Sequence, residues 1–303
     1  MAKGKGKGNN FDRWLVAGIV LVLVLIGLFL WGPLHKYRPT EEKKPTEQAK
    51  KIPPEHRKQT LPERPERKET RKQEPSGQPA EKSVRIAIVI DDLGPDMKPA
   101  QEILSLHDNI TFAIMPGQPK SRMIASLARQ NNREVLIHLP MEPKNKNGKP
   151  IPRGTLRSDM TPMEFMTTLT EDVESVPGAI GVNNHEGSAL TENKEAMKFL
   201  MAELKVRELL FLDSRTNPKT VAYSTAKEFG IKAAKRDVFL DNEGDNPAYI
   251  HGQLEELVRI AQKHGSAIAI GHPHPATISE LRKWFATLDE ATIEIVPVSK
   301  LMQ

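Results

Sequence analysis

The chain has 303 residues, with 44 Lys and Arg against 39 Asp and Glu, a formal net charge of +5 and no cysteine. Without thiols, disulfides, thiolate metal sites and cysteine nucleophiles are excluded. Proline is plentiful at 24 residues and aromatic residues make up only 5%, so part of the chain lies outside any packed core.

Residues Trp14 to Trp31, WLVAGIVLVLVLIGLFLW, carry no charge. Eighteen residues at 1.5 Å rise give about 27 Å of helix, close to a bilayer core of roughly 30 Å. A Trp stands at each end, where indoles favour the headgroup boundary. Lys3, Lys5, Lys7 and Arg13 precede the span against Asp12 alone, so residues 1–13 are expected to stay cytoplasmic. No small-residue cleavage site follows in LHKYRPT, and the span reads as an uncleaved anchor rather than a signal peptide. The bulk of the chain is then expected beyond an inner membrane, on the periplasmic side.

Residues 32–83 are Pro, Lys, Arg, Glu and Gln with almost nothing apolar, a composition that cannot repay its ordering entropy. They read as a stiff, solvated tether. The tail carries +3 and the tether +5, which leaves −3 on residues 84–303. The basic balance belongs to the flanking segments, and a nucleic-acid-binding domain is excluded as the main reading.

From Val84 onward, strand-type and helix-type segments alternate. Strands are expected at Val84–Asp91, Ile110–Met115, Glu134–Leu139, Ile180–Asn183, Leu209–Asp213, Ala267–Ile270 and Ile293–Val298, with a weaker one near Ile231–Ala234. Between them, TPMEFMTTLTEDVESV opens with Thr161 as N-cap, Pro162 at the first helical position and Glu164 completing a capping box. Met197, Leu200, Met201 and Leu204 recur at helical spacing. Gly230 and Gly265 read as C-caps, and Thr277 with Glu280 as a second capping box. Seven or eight strands alternating with helices imply parallel βα units, either closed as a barrel or open as a doubly wound sheet.

In such architectures functional side chains sit just past the carboxyl ends of the strands. The first strand ends in Asp91-Asp92 and the third in His138, followed by Glu142. The fourth ends in Asn183-Asn184-His185-Glu186, the fifth in Asp213-Ser214-Arg215, and the late strand in Gly271 followed by His272 and His274. Taken singly, each has a plain structural reading, such as a turn, a cap or a core histidine. Together they place carboxylates and imidazoles from distant parts of the chain at equivalent topological positions. Asp and His form an oxygen and nitrogen donor set that suits a divalent ion such as zinc. A cation also relieves the repulsion of two adjacent carboxylates, one coordinating while the other stays ionised as a base.

These motifs resemble the polysaccharide deacetylase (NodB-type) superfamily, and within it the divergent, YibQ-like branch, from about Val84 to the C-terminus. The resemblance implies an α/β fold, a distorted (β/α) barrel of seven to eight mostly parallel strands. It implies Asp91 as catalytic base, Asp92 and His138 as metal ligands, and His272 as general acid. Glu142 stands where the superfamily has a second histidine ligand; His185 is expected to supply the missing imidazole, with Glu142 as the possible substitute. His274 or Asp213 is expected to orient His272, and Arg215 to anchor Asp91 or bind sugar. The implied activity is zinc-dependent hydrolysis of N-acetyl groups on a polysaccharide or peptidoglycan. The alternative is a module without catalysis that binds cell-wall glycan or an envelope protein. A glycoside hydrolase built on paired carboxylates ranks last, since it leaves the histidines without a role.

Overall fold

A computed structural model of the chain describes residues 83–144 and 150–303. The expected tail, the anchor at 14–31 and the tether up to residue 82 lie outside the described residues. Among the described residues no helix is long and apolar enough to cross a membrane.

Nine parallel strands form one sheet: β1 Val84–Leu93, β2 Thr111–Ile114, β3 Val135–Met141, β4 Gly181–Glu186, β5 Leu210–Asp213, β6 Ala233–Lys235, β7 Val238–Phe239, β8 Ser266–Gly271 and β9 Ile293–Ile295. Their order is β6-β5-β4-β3-β2-β1-β8-β7, with β9 paired to the start of β1. Seven helices pack around them: α1 Met97–Leu104, α2 Ser121–Gln130, α3 Pro162–Ser175, α4 Lys194–Val206, α5 Ala222–Glu228, α6 Pro247–His264 and α7 Pro275–Ala286.

The sheet is a curled half-barrel rather than a fully hydrogen-bonded ring. The run from Ala233 to Phe239 crosses the seam, pairing with β5 through its first half and with β8 through its second. The amide of Arg236 donates to the Asp213 carbonyl and that of Asp237 to the Ile268 carbonyl. Below this run the C-terminus fills the gap, with Gln303 and Ala233 exchanging backbone hydrogen bonds of 3.0 and 3.2 Å.

Helix signals in the sequence translate directly into structure at α3, where Thr161 and Glu164 form the reciprocal capping box, and at α4, where the four expected residues are buried. Gly265 caps α6 at φ 82°. The second capping box does not form. Helix α7 starts earlier, with Pro275 at its first position and His274 as N-cap, and Thr277 instead donates its hydroxyl to Asp241 at 2.8 Å.

Strand alternation divides the core in two. Ile86, Ile88, Ile90, Ile137 and Phe211 face the helices. Ala87, Val89, Ala113, Leu136, Leu212, Ile268 and Ile270 fill the inside of the curl, closed from one end by Val298 and Met302. The opposite end, at the carboxyl tips of the strands, is left for polar groups. Gly181 opens β4 between Leu136 and Leu210, where a Cβ would stand 2.8 Å from both the Leu210 Cβ and its carbonyl oxygen. Gly181→Ala is therefore expected to destabilise the domain by about 1–3 kcal/mol, lowering its melting temperature by several degrees in a thermal scan. An unchanged melting temperature rules out so tight a contact between β4 and β5.

Candidate metal centre

The inner positions of the strands lead straight to the polar cluster. One pleat beyond Val89, Leu136, Leu212 and Ile270 come Asp91, His138, Ser214 and His272, and on β4 the series from Gly181 continues to Asn183 and His185. Asp91, His138, His185, Ser214, Phe239 and His272 line one cavity of about 410 Å³.

Adjacent residues on a regular strand face opposite ways, so Asp92 is out of phase with this series. The register against β2 shifts between Ile90 and Leu93, and Asp92 adopts φ 56°. Aspartate tolerates this left-handed conformation better than most residues. The bulge turns Asp92 back towards the imidazoles.

Three donor atoms then form a nearly equilateral triangle. Asp92 Oδ1 lies 3.2 Å from His138 Nε2 and 3.1 Å from His185 Nδ1, and the two ring nitrogens are 3.0 Å apart. Asp92 Oδ1 is buried and makes no well-aligned hydrogen bond to either ring. A buried carboxylate oxygen without a hydrogen bond is costly unless a cation satisfies it. Donors about 2.1 Å from one ion are separated by about 3.0 Å when they subtend a right angle and about 3.4 Å at the tetrahedral angle. The observed triangle suits three donors to one ion. The residues fit a divalent metal.

The tautomer of His138 follows from its neighbour. Asn183, fully buried, donates from Nδ2 to Asp91 Oδ1 at 2.8 Å and to Ser214 Oγ at 3.2 Å. Its Oδ1 therefore faces His138 Nδ1, 3.1 Å away, and must accept the Nδ1 proton. This leaves Nε2 aimed into the triangle. A hydrogen bond at the second nitrogen orients a ligating imidazole and strengthens its donor.

Charge at the site is strongly perturbed. Burial raises the Asp91 carboxyl above the usual range, although His138, His272 and Asn183 all pull against it. Burial also disfavours ionised Asp92, but the two imidazoles win and hold it far below the usual range. For His138, burial opposes a positive charge and the carboxylates of Asp91 and Asp92 override it, raising the imidazole. The pocket thus calls for positive charge beside two carboxylates, supplied by a proton or by a metal that displaces it.

Across the cavity, His272 Nδ1 lies 2.8 Å from Asp241 Oδ1, and Asp241 Oδ2 accepts from the His272 amide and from Thr277. Burial lowers the His272 imidazole, but Asp241 outweighs it and the group is pushed up to about 9. Phe239 stacks on the ring, and the Arg236 guanidinium lies over the phenyl group, 3.7 Å from its centroid.

Several expected residues take other places. Asp213 points with Phe211 towards the helices, where its carboxylate accepts from the amides of Arg215 and Tyr223 and from the Thr220 hydroxyl. The partner of His272 is Asp241, which sequence reading missed, and the exposed His274 stands alongside at 5.8 Å between rings. Arg215 sits at φ 50° past β5 and offers its carbonyl to Arg236, whose charge reaches Asp91. Glu142 accepts from the amide and hydroxyl of Ser158 at 2.9 and 2.7 Å, pinning that loop. Of the two expected ligand sets, the structure brings together Asp92, His138 and His185.

Residues 88–302 match the sequence pattern of the divergent polysaccharide deacetylases. The chain belongs to the divergent polysaccharide deacetylase family. Two relatives agree. The uncharacterized protein YibQ of Escherichia coli is 39% identical over 218 residues, 72% of this chain and 67% of that protein. An uncharacterized protein of Haemophilus influenzae is 38% identical over 217 residues, 72% of this chain and 76% of the relative. Among solved structures, an uncharacterized protein of Agrobacterium tumefaciens is similar with a TM-score of 0.69 and 26% identity, over 73% of this chain and 89% of the other. The family's described span begins inside β1 and ends at Met302, so it covers both the triangle and the His272–Asp241 pair.

Proposed function

We propose that residues 84–303 form a metal-dependent hydrolase that removes N-acetyl groups from an envelope polysaccharide of the peptidoglycan type. The observation that carries this reading is the donor triangle with its orphaned Asp92 oxygen, set in the same cavity as Asp91 and His272. Asp92, His138 and His185 would hold a divalent ion, most simply zinc, which when bound would make an acetamide carbonyl more electrophilic and a water more acidic.

The chain's own groups do the proton work. Asp91, held by Asn183 and raised by burial, accepts a proton from the attacking water. His272, kept protonated by Asp241, donates to the nitrogen as the C–N bond breaks, and acetate and a free amine leave. Arg236 and Phe239 hold the His272 ring in place. The anchor at 14–31 fixes the domain to the inner membrane, and the tether gives it a reach of at most about 170 Å towards periplasmic glycan.

The test measures metal content and acetate release together. Purified full chain is expected to hold one divalent ion and to release acetate from N-acetylglucosamine oligomers or peptidoglycan strands. EDTA is expected to stop the release and zinc to restore it. Release unaffected by EDTA defeats the metal mechanism, and a bound metal with no release on any acetylated glycan leaves a binding module.

A further inference from the structure

Helix α3 buries Phe165, Leu169 and Asp172, spaced i, i+4 and i+7 on one face. The third position of that stripe calls for an apolar side chain, yet it holds a carboxyl group. Asp172 is only 7% exposed, and its Oδ2 is buried with no hydrogen-bond partner. Such a group costs stability, and a fold keeps it only where something else requires it.

The carboxyl faces a second cavity of about 580 Å³, within the range of small-molecule sites. Its walls include the apolar side chains of Met115, Pro116, Pro140, Met141, Ile151 and Pro152, beside polar groups in comparable measure. Gly154, at φ 87°, passes so near that a Cβ there would stand 3.4 Å from Asp172 Oδ1. His185 and Glu186 line this cavity as well as the one at the metal triangle, so the two adjoin. The charged side chains of Arg153 and Glu171 belong to exposed residues bordering the pocket.

We infer that this pocket is the subsite for the sugar next to the reacting unit, an uncharged pyranose, with Asp172 as its hydrogen-bonding anchor. The inference rests on the deacetylase reading for the neighbouring cavity. Flat proline and methionine walls match the C–H faces of a pyranose ring. Burial, reinforced by Glu171, pushes Asp172 up to about 8. Near neutral pH the carboxyl therefore keeps its proton and presents one donor and one acceptor, the same pair a sugar hydroxyl presents in return. Asp172 touches no reacting atom; it is a positioning residue that sets which chain occupies the site.

Calorimetric titration of the full chain with N-acetylglucosamine oligomers of one to four units, in metal-chelated buffer, tests this apart from catalysis. Wild type is expected to bind the dimer or trimer at least about tenfold more tightly than the monomer. Asp172→Leu is expected to lose that step, and Asp172→Asn, which still donates and accepts, to keep most of it. Both variants are expected to melt no lower than wild type at pH 8, since each removes an unpartnered buried acid. Equal length dependence in Asp172→Leu and wild type overturns the inference, as does the absence of oligomer binding or a marked loss of stability in Asp172→Asn. Length-dependent binding that needs Asp172, together with no acetate release from the metal-loaded chain in a separate assay, upholds the subsite and defeats the deacetylase reading alone.

Discussion

His138→Ala is expected to leave the chain without its metal and to lower acetate release by about a thousandfold or more. His138 supplies one corner of the triangle and is 2% exposed. Glu142, the nearest alternative by sequence, is engaged with Ser158. Asn183→Leu is the sharper companion. It leaves all three donors in the chain but removes the acceptor that fixes the Nδ1 proton of His138 and the donor that holds Asp91. Loss of such a supporting group typically costs 10- to 100-fold in metal affinity or activity. Metal content after dialysis, read alongside circular dichroism, measures both variants. Stoichiometric metal retained by folded His138→Ala removes the triangle as the binding site.

Much of this architecture is legible in the sequence because the parallel strands are buried on both faces and read as short apolar runs with polar ends. All eight expected strands are present, and the residues named from the strand tips, Asp91, Asp92, His138, His185 and His272, come together around one cavity. The missed Asp241 traces back to one short strand. Val238–Phe239 is too brief to show a period of two, so β7 leaves no signal, and neither does the way the run from Ala233 to Phe239 crosses the seam. Had β7 been recognised, the same tip rule applied to FLDNEGDN would have singled out Asp241, two residues beyond it. In its absence that stretch reads as a turn, and the nearer acid at a recognised tip, Asp213, takes the role.

Phase is the second limit. Asp213 stands at a strand tip but on the helix-facing side, in step with Phe211, whereas Asp92 is out of step and is recovered by a bulge. Alternation from Leu212 already assigns Asp213 to the outer face, so that error lay within reach of the sequence. The left-handed turn at Asp92 did not, because it depends on how β2 pairs with β1. Asp172 is intermediate, for an acid seven residues after Phe165 on a capped helix is visible as an irregular stripe. What the sequence withholds is that the irregularity opens onto a cavity.

Asp241→Asn is expected to shift the alkaline limb of the pH–rate profile downward and to cut turnover at pH 8 by about tenfold or more. The substitution keeps the size of the side chain and an oxygen for Thr277 or the His272 amide. It removes the negative charge that holds the imidazole at about 9 against a burial effect of opposite sign. With that charge gone, burial lowers the ring against only the more distant Asp91 and Asp92 carboxylates, and it titrates below its wild-type value. A general acid works only while protonated, so wild type keeps its activity as pH rises until the neighbourhood of 9, and the variant loses it earlier. The sign also holds for folding, because a raised imidazole adds stability below about 6.5 that disappears as pH climbs through 9. Metal held at the triangle is expected to stay at the wild-type level, since Asp241 lies outside it. A profile of kcat/KM from mildly acid to alkaline pH, measured with metal analysis of the same samples, decides the matter. Coincident alkaline limbs in variant and wild type remove His272 as the proton donor, whatever the fate of the metal.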